Sequence, residues 1–331
     1  METLDLRLAE ATRACDDHVD VVIPVYNGSA YIGESISSVL SQTLSPRRVI
    51  VVDDGSTDET AAVVSALAAS QPTIVLHRLA QNSGESAARN AGIRLSDSRF
   101  IAFLDADDVW APEKLALQMA IFKSKGSSVG FVNSSYYLMN ERGELLVDAE
   151  VIAPSLRGKV LADLLRRGNI LSGSASSVLV RREVLDRAGL FDERLYYGGD
   201  WDMWLRLAAI SEVDYVPEAL VGIRVHRQSA QSQSIRRDLL GLFNQTLLIY
   251  DRWHDLLIND VAFLSRLRKE GCYALLVDAR SLGQVEAFYR SLKTSNQKLA
   301  QALFSSRLQL WTGLLWQAAK GCLRYFRNGK R

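Results

Sequence analysis

The chain has 331 residues, 48% of them hydrophobic, and a formal net charge of +1 at pH 7. This length supports one large core with an appendage, and the near-neutral charge argues against nucleic acid as a partner. Three cysteines, Cys15, Cys272 and Cys322, are far apart without metal or redox spacing, which is typical of a reducing compartment. Residues 1–18 lack the pattern of a secretory signal or a spanning segment, so we expect a cytoplasmic protein.

The first hundred residues alternate between strand-like and helix-like patterns. Apolar runs typical of buried strands occur at residues 21–25, 49–52, 73–76 and 100–104. Between them, apolar residues recur at helical spacing, and we expect Ser29 to cap the first helix and Thr57 or Asp58 to cap the second. A third helix opens within residues 82–90. The β-α-β-α-β-α-β order predicts a doubly wound, mostly parallel, twisted sheet flanked by helices.

Two of these predicted strands end in carboxylates. The second strand runs into Asp53 and Asp54, and the fourth runs into Asp105, Asp107 and Asp108. The carboxyl ends of parallel strands meet at the edge of the sheet where open α/β folds bind their ligands. Carboxylates gathered there repel one another unless a cation or a ligand compensates their charge. The pattern therefore predicts a functional site at this edge.

Four motifs follow one another in this part of the chain. They are Val22-Ile23-Pro24-Val25-Tyr26-Asn27, then Val52-Asp53-Asp54-Gly55-Ser56-Thr57-Asp58, then Asn82-Ser83-Gly84 through Arg89-Asn90-Ala91-Gly92, and then Leu104-Asp105-Ala106-Asp107-Asp108. Their order and spacing, with a fifth motif near residue 200, resemble the family 2 glycosyltransferases. The resemblance covers roughly residues 19–230. It implies an inverting enzyme of the GT-A fold that takes a sugar from a nucleotide-sugar donor.

The resemblance also implies an organisation of the whole chain. We expect an amino-terminal tail at residues 1–18, a GT-A catalytic domain at residues 19–232, and a mostly helical carboxyl-terminal region at residues 233–331. By the same resemblance, the nucleotide is a uridine diphosphate, and the acceptor is a glycan or lipid-linked glycan of surface polysaccharide or glycolipid synthesis. The sequence does not reveal which sugar is transferred.

Particular residues are implied to contact the substrates. Nucleotide recognition falls on Pro24, Tyr26 and Asp54, since a carboxylate can accept a hydrogen bond from a nucleobase N–H. The positions implied for substrate binding are Pro24, Tyr26, Asn27, Asp54, Asn82, Arg89, Asp105, Asp202 and Arg224. The alternative interpretation of residues 53–58 is a solvated turn with a helix cap.

Asp105-Ala106-Asp107 matches the metal motif of the family. Two carboxylates one residue apart can approach Mn²⁺ or Mg²⁺ together with diphosphate oxygens and water. The resemblance makes Asp107 the direct ligand and places Asp105 nearer the ribose or a metal-bound water. His226 follows in a segment that resembles the Arg-x-His segment of the family, and it could coordinate the metal or contact the diphosphate, while Arg224 or Arg227 could neutralise phosphate charge. The alternative for His226 is a partly buried histidine at a strand edge.

Asp200 is the predicted general base, which takes the proton from the acceptor hydroxyl. Many members of the family have Glu-Asp at this point, whereas this chain has Gly199-Asp200, which lacks the preceding acid and keeps the base. The alternative for Asp200 is a helix cap. Asp202 either contacts the acceptor or belongs to the first helical turn, where its charge suits the helix dipole. Arg206 is expected to pair within the fold.

Two segments between these motifs have no assigned chemistry. Residues 133–153 alternate enough to predict a hairpin around residues 140–143. Residues 168–177 are small and polar, and we expect them either to line the acceptor side or to form a flexible lid.

The end of the chain is cationic and rich in aromatic residues. After Glu286 there is no Asp or Glu. The cations that follow are Arg290, Lys293, Lys298, Arg307, Lys320, Arg324, Arg327, Lys330 and Arg331. Such a helical tail suits peripheral contact with an anionic membrane surface, which favours the inner face of the cell membrane. The competing interpretation is a helix packed on the protein or in a homodimer.

Two other functions fit parts of the sequence. Asp105-Ala106-Asp107-Asp108-Val109 also satisfies the signature of haloacid-dehalogenase-type phosphatases, but the lysine and paired aspartates of that chemistry have no convincing counterpart downstream. A catalytically inactive sugar-nucleotide-binding protein is the second alternative. The presence of Asp54, Asp107 and Asp200 together argues against it.

Overall fold

The computed structural model describes residues 17–146, 151–226, 238–278, 282–295, 297–304, 306–315 and 317. The chain divides into two compact units, which meet in sequence between His226 and Arg227. The boundary expected at residue 232 lies outside the described residues, as do most of the expected tail at residues 1–18 and the basic segment at 318–331.

The described part of the first unit contains an 8-stranded sheet. Its strands are β1 (Val19–Val25), β2 (Arg48–Asp53), β3 (Ile74–Arg78), β4 (Phe100–Phe103), β5 (Val109–Trp110), β6 (Val129–Met139), β7 (Leu179–Arg181) and β8 (Glu212–Arg224). They lie in the order β3-β2-β1-β4-β7-β6-β8-β5. Strands β3, β2, β1 and β4 pair in parallel, as do β6 and β8, whereas β7 and β5 run antiparallel to their neighbours. The predicted mostly parallel sheet is confirmed.

Helices connect these strands. They are α1 (Ile32–Leu40), α2 (Thr60–Ser70), α3 (Glu85–Leu95), α4 (Lys114–Lys125), α5 (Leu161–Arg167), α6 (Arg182–Ala188) and α7 (Gly199–Ile210). The expected cap at Ser29 is wrong, because its N–H donates to Asp58 Oδ2 at 3.1 Å and α1 begins only at Ile32. The expected cap of α2 at Thr57 or Asp58 is also wrong, because Glu59 is the N-cap residue, although Asp58 Oδ1 accepts the N–H of Thr60 at 3.0 Å.

The central strands are apolar on both faces because helices cover both faces. Val49 and Val51 of β2 pack in one cluster with Ile36 of α1, whereas Ile50 and Val52 pack in another with Ala88 of α3. These side chains are fully buried, and each such burial contributes roughly 1.5–3 kcal/mol. The continuous apolar run of β2 therefore follows from its central position in a parallel sheet.

The described part of the second unit is helical. It contains α8 (Leu239–Asp251), α9 (His254–Leu257), α10 (Val261–Asp278), α11 (Leu282–Thr294) and α12 (Lys298–Leu303), and residues 307–315 are also helical. The expectation of a mostly helical carboxyl-terminal region is confirmed. Nowhere in the described residues is there a helix of the length and apolarity needed to cross a bilayer.

A lysine lies fully buried beneath the sheet. Lys114, the first residue of α4, donates from Nζ to Gln118 Oε1 at 3.0 Å, and Nζ lies 3.9 Å from the centre of the Trp110 ring. Gln118 in turn donates to the carbonyl oxygens of Val132 and Ser177, which ties α4 to the sheet. Burial lowers the pKa of Lys114 well below its usual value.

We predict that Lys114→Met makes the free energy of unfolding less dependent on pH. The pKa of the buried amine is lowered in the folded protein, so the unfolded chain binds more protons below the usual value of 10.5. Wild-type stability should therefore rise with pH in this range, by up to about 1.4 kcal/mol per pH unit. Urea unfolding at about pH 7 and about pH 9 measures this slope.

The exposed Lys123 of the same helix provides the control, and Lys123→Met should keep the wild-type slope. Equal slopes for the wild type and Lys114→Met would contradict the prediction. The absolute stability is a poorer test, because the substitution also removes the donor to Gln118.

Candidate active site

The carboxyl ends of the parallel strands carry most of the predicted site residues. Tyr26 follows β1, Asp54 follows β2 and Asp105 follows β4, and these three strands are neighbours in the sheet. His226 follows the end of β8. The predicted gathering of these residues at one edge is therefore a consequence of strand order and direction.

Asp54 connects the end of β2 to the start of α3. It is 3% exposed, and its two oxygens accept the N–H groups of Ser83 and Gly84, each at 2.8 Å. Burial raises the pKa of Asp54, and these two bonds oppose the rise. Gly55 has φ +73°, and a Cβ there would lie 2.7 Å from the carbonyl carbon of Gln81, so glycine is required. The nucleobase contact at Asp54 stays a prediction, and it would use the second lone pair of an oxygen.

The other residues expected near the donor differ in their exposure to solvent. Tyr26 is 49% exposed and Asn82 is also exposed, so both are accessible to a ligand. Asn27 adopts a left-handed conformation (φ 52°), and its Oδ1 accepts the N–H of Thr57 at 2.8 Å. Pro24 is buried within β1. Asn27 therefore shapes the loop that follows β1, whereas Pro24 is buried in the strand and is poorly placed for the expected substrate contact.

Arg89 joins two carboxylates through one nitrogen. Its Nη2 lies 2.7 Å from Asp105 Oδ1 and 2.6 Å from Glu85 Oε1. The Arg89 side chain is 4% exposed, Asp105 is 20% exposed and Glu85 is 54% exposed. Sequence reasoning assigned Arg89 and Asp105 but missed Glu85, whose position four residues before Arg89 was the signal.

Several negative charges act on Glu85. Burial raises the pKa of Glu85 to about 7, the charge of Arg89 opposes this rise, and Asp105, Asp200 and Asp107 add to it. Because solvent reaches 54% of the side chain, water screens part of these interactions. We call the space around Glu85, Arg89, Asp105, Asp107 and Asp200 the cleft, and it combines one buried guanidinium with several carboxylates.

Asp107 and His226 are brought together although 119 residues separate them in sequence. Asp107 Oδ2 and His226 Nε2 lie 2.8 Å apart, and their side chains are 25% and 9% exposed. The ring of Tyr31 lies 5.1 Å from the imidazole, between centroids. The two predicted metal ligands therefore form one pair, and the structure leaves their role as ligands a prediction.

The chemistry of this pair suits a divalent cation. Two donor atoms 2.8 Å apart can both reach one ion at the usual bond lengths of about 2.0–2.2 Å. Among the described residues, no group of three or more His, Cys, Asp and Glu side chains is arranged to hold a metal. A divalent ion at Asp107 and His226 would therefore take its remaining ligands from substrate phosphate and water, as Mg²⁺ commonly does.

Asp108 was not assigned from the sequence, and it anchors the loop after β4 from inside. It is 2% exposed and accepts hydrogen bonds from the hydroxyls of Ser174 at 3.0 Å and Ser176 at 2.6 Å. Ser176 Oγ also accepts the N–H of Asp105 at 3.0 Å. Burial raises the pKa of Asp108 well above its usual value, with Asp107 and Asp105 adding to the rise. Part of the small polar segment 168–177 thus supports the loop, which was neither of its expected roles.

Arg224 also supports this loop. Its Nε donates to the Asp107 carbonyl oxygen at 2.8 Å, its Nη1 donates to the Glu141 carbonyl oxygen at 3.0 Å, and its Nη2 lies 2.7 Å from Glu34 Oε2. With its donors used in this way and only 4% of the residue exposed, Arg224 is poorly placed for the expected phosphate contact. It holds the Asp107 backbone against the turn at residues 140–143.

Asp200 lies in the first turn of α7, where its Oδ1 accepts the N–H of Trp201 at 2.7 Å. Burial raises the pKa of Asp200, and the charge of Arg89 opposes this rise. A Cβ on Gly199 would lie 2.9 Å from Ser86 Oγ, so the start of α7 is in close contact with the start of α3. This contact brings Asp200 to the cluster around Arg89, and the general-base role stays a prediction.

Asp202 is directed to a different partner. It is 1% exposed, and its Oδ2 lies 2.8 Å from Arg206 Nη2, one turn later in α7. Arg206 also donates to the carbonyl oxygen of Ala188 at 2.8 Å. This internal ion pair matches the expectation for Arg206, and it makes the first-turn interpretation of Asp202 better than acceptor contact.

Comparison with known proteins gives a family match and a fold match. A family model described as Glycosyl transferase family 2 matches residues 20–189. An uncharacterized glycosyltransferase of Rickettsia prowazekii is 26% identical over 299 residues, which are 87% of this chain and 88% of that protein. The Escherichia coli UDP-Glc:alpha-D-GlcNAc-diphosphoundecaprenol beta-1,3-glucosyltransferase WfgD is 35% identical over 126 residues, 38% of this chain and 48% of WfgD. The chain matches less than two thirds of the length of several other relatives.

Two solved structures are similar over most of the chain. Staphylococcus aureus TarS 1–349 in complex with UDP-GlcNAc has a TM-score of 0.64 and 17% identity, covering 94% of this chain and 92% of that chain. Mannosyltransferase PcManGT from Pyrobaculum calidifontis, in complex with GDP-Man and Mn2+, has a TM-score of 0.55 and 20% identity, covering 91% and 87%. At this identity the likeness concerns the fold, and it confirms the predicted fold class.

Proposed function

Because the chain belongs to glycosyl transferase family 2, we propose that it is an inverting, divalent-metal-dependent enzyme that transfers a sugar from a UDP-sugar to an acceptor hydroxyl. The observation that carries this proposal is the convergence of Asp200, the Arg89–Asp105 pair and the Asp107–His226 pair at the carboxyl edge of the sheet. Each group has a role that the reaction requires.

The donor would lie along the ends of β1, β2 and β4. The exposed ring of Tyr26 offers a surface on which a nucleobase can stack. Two similar proteins support uridine, since TarS was crystallised with UDP-GlcNAc and the name of WfgD specifies UDP-Glc. PcManGT was crystallised with GDP-Man, so the nucleobase of the donor differs among proteins of this fold.

Asp107 and His226 would hold Mn²⁺ or Mg²⁺. When bound, such an ion neutralises the charge that develops on the departing diphosphate. The complex of PcManGT with Mn2+ supports divalent metal use in this fold. Arg224 and Ser176 hold the backbone of Asp107 and Asp105, respectively, through hydrogen bonds.

Asp200 would remove the proton from the acceptor hydroxyl. Burial raises the pKa of Asp200, which makes it a better proton acceptor than an ordinary aspartate, and the charge of Arg89 limits this rise. The deprotonated oxygen then attacks the anomeric carbon on the face opposite the diphosphate, so the configuration at that carbon inverts.

The acceptor is proposed to be a glycan or a lipid-linked glycan of surface polysaccharide or glycolipid synthesis. The name of WfgD specifies GlcNAc-diphosphoundecaprenol, a sugar on a lipid carrier. An acceptor of this class would place the enzyme at the cytoplasmic face of the cell membrane. It would also give a role to the apolar and cationic surface near the end of the chain.

We predict that UDP raises the melting temperature in Mn²⁺ but much less in EDTA, and that Asp107→Asn removes this metal dependence. A ligand that prefers the folded state stabilises it by RT ln(1 + [L]/Kd). A thermal-shift assay with UDP, GDP and dTDP measures the effect. Asp186→Asn on helix α6, which removes an ion pair with Arg182, is the control and should keep the wild-type response. If UDP raises the melting temperature of the wild type equally in Mn²⁺ and in EDTA, the metal assignment is wrong.

We predict that Asp200→Asn lowers the turnover number by about 10²–10⁴-fold, the usual contribution of a general base, and leaves the Kd of UDP unchanged. Transfer of radiolabelled sugar to a lipid-linked acceptor measures turnover, and calorimetry measures Kd.

NMR of the product tests inversion at the anomeric carbon. Near wild-type transfer by Asp200→Asn would disprove the base assignment, and no transfer by the wild type with any acceptor would favour the inactive binding protein.

We predict that Leu308→Ser with Leu315→Ser reduces binding to vesicles that contain phosphatidylglycerol. The two leucines are 72% and 70% exposed and lie two turns apart on the helix at residues 307–315. Burial of each side chain in a bilayer contributes roughly 1.5–3 kcal/mol. Flotation of the full chain on vesicles with and without phosphatidylglycerol measures binding, and Leu95→Ser in the first unit is the control. If the wild type fails to float and instead forms a dimer, this helix contacts protein and not membrane.

A further inference from the structure

Glu85 is a charged group of the cleft to which the proposed reaction gives no role. Its carboxylate shares Arg89 Nη2 with Asp105, at 2.6 Å and 2.7 Å, so the two carboxylates are immediate neighbours. Of the two, Glu85 is the more accessible, with 54% of its side chain exposed against 20% for Asp105. A ligand in the cleft can therefore reach Glu85 directly.

Glu85 also lies beside Asp200. The close approach of Gly199 to Ser86 joins the first turn of α7 to the first turn of α3. Glu85 and Asp200 are each one residue away from this contact, and the charge of Asp200 acts on Glu85. Glu85 is thus adjacent both to Asp105 and to Asp200.

We propose that Glu85 lines the subsite of the transferred sugar and selects a neutral sugar by accepting a hydrogen bond from one of its hydroxyls. This inference rests on the proposed function, which puts the nucleotide end of the donor at Asp105 and the acceptor hydroxyl at Asp200. The transferred sugar then occupies the space between them, next to Glu85. Glu85 is a specificity residue of that subsite.

The chemistry of the carboxylate determines which sugars fit. When ionised, the Glu85 carboxylate only accepts hydrogen bonds, so it matches the hydroxyl groups of a neutral hexose. A sugar that carries its own carboxylate, such as a uronic acid, would meet Glu85, Asp105 and Asp200 and would be repelled. Neutral hexoses are therefore favoured over uronic acids as the transferred group.

A purely structural role for Glu85 makes a different prediction. As an ion-pair partner four residues before Arg89, it would stabilise α3 by about 0.3–0.5 kcal/mol and affect all ligands alike. The Arg182–Asp186 pair on α6 has the same spacing, a distance of 2.7 Å and a carboxylate that is 56% exposed. Asp186→Asn is therefore a matched control for the loss of such a pair away from the cleft.

The experiment compares three ligands, UDP, UDP-glucose and UDP-glucuronic acid, by calorimetry in Mn²⁺. In the wild type, UDP-glucose should bind at least about tenfold more tightly than UDP-glucuronic acid. Glu85→Gln should raise the Kd of UDP-glucose by about tenfold, as expected for loss of a charge-assisted hydrogen bond. It should leave the Kd of UDP unchanged. It should also reduce the difference in Kd between UDP-glucose and UDP-glucuronic acid. Glu85→Asp, which keeps the charge, should retain that preference.

The possible failures are distinguishable. Equal effects of Glu85→Gln on UDP and UDP-glucose, or no effect on either, would overturn the inference and leave the proposed function intact. If the wild type binds UDP-glucuronic acid as tightly as UDP-glucose, the inference is likewise wrong and the proposed function is unaffected. If the wild type binds neither UDP nor UDP-glucose, the proposed donor is wrong and the inference falls with it. Melting temperatures without ligand establish that each variant is folded, and Asp186→Asn should match the wild type throughout.

Discussion

The buried guanidinium of Arg89 is the interaction on which the cleft depends. It contacts Glu85 and Asp105 through one nitrogen, acts on Asp200 through its charge, and lies 5.4 Å from the centre of the Phe191 ring. A buried cation is costly unless it is paired, and carboxylates crowded together are costly unless a cation is among them. Each therefore requires the other. This mutual requirement fixes α3 against the loop after β4 and against the start of α7.

A second group of polar side chains supports the site from within the protein. Asp108, Ser176 and Arg224 are buried, and they hold the backbone of residues 105–108 through hydrogen bonds. Asp54 does the same for the loop before α3. Because a buried group left without its partner costs about 1–3 kcal/mol, this loop has little freedom to move. The side chains of Asp105 and Asp107 are consequently presented from a rigid support.

Much of the fold was predictable from local sequence patterns, and the reason is physical. The central strands are covered on both faces, so Val49 to Val52 are apolar without alternation, and the carboxylates follow where burial ends. Arg89, Asp107 and Asp200 were predicted as site residues from motifs in a known order, and their roles stay predictions. Family membership also removes the basis for the phosphatase interpretation, which had only Asp105-x-Asp107-x-Val109 in its favour.

What the sequence could not provide were the contacts between distant segments. Glu85 and Arg89 look like an ordinary surface pair four residues apart until the packing of α7 on α3 places Asp200 beside them. The hydroxyls of Ser174 and Ser176 point to no function in a small polar segment, yet they bond Asp108 more than 60 residues earlier. Arg224 was assigned to phosphate because arginine commonly binds it, whereas here carbonyl oxygens and Glu34 use its donors. Such roles depend on tertiary packing, which local patterns do not encode.

The balance of charge in the cleft connects the metal and the sugar. A nucleoside diphosphate is itself anionic, and it would enter a cleft that already contains Glu85, Asp105, Asp107 and Asp200. Within the described residues, Arg89 and Arg224 do not relieve this excess, since Arg89 is paired with Glu85 and Asp105, and Arg224 is paired with Glu34. Under the proposed function, positive charge would come with the donor as a divalent ion at Asp107 and His226. That ion would offset the diphosphate, but it would leave Glu85 and Asp200 facing the sugar. A neutral hexose adds no charge to this part of the cleft and can donate hydrogen bonds to it, so the same shortage of positive charge favours both a metal at the diphosphate and an uncharged group at the position of transfer.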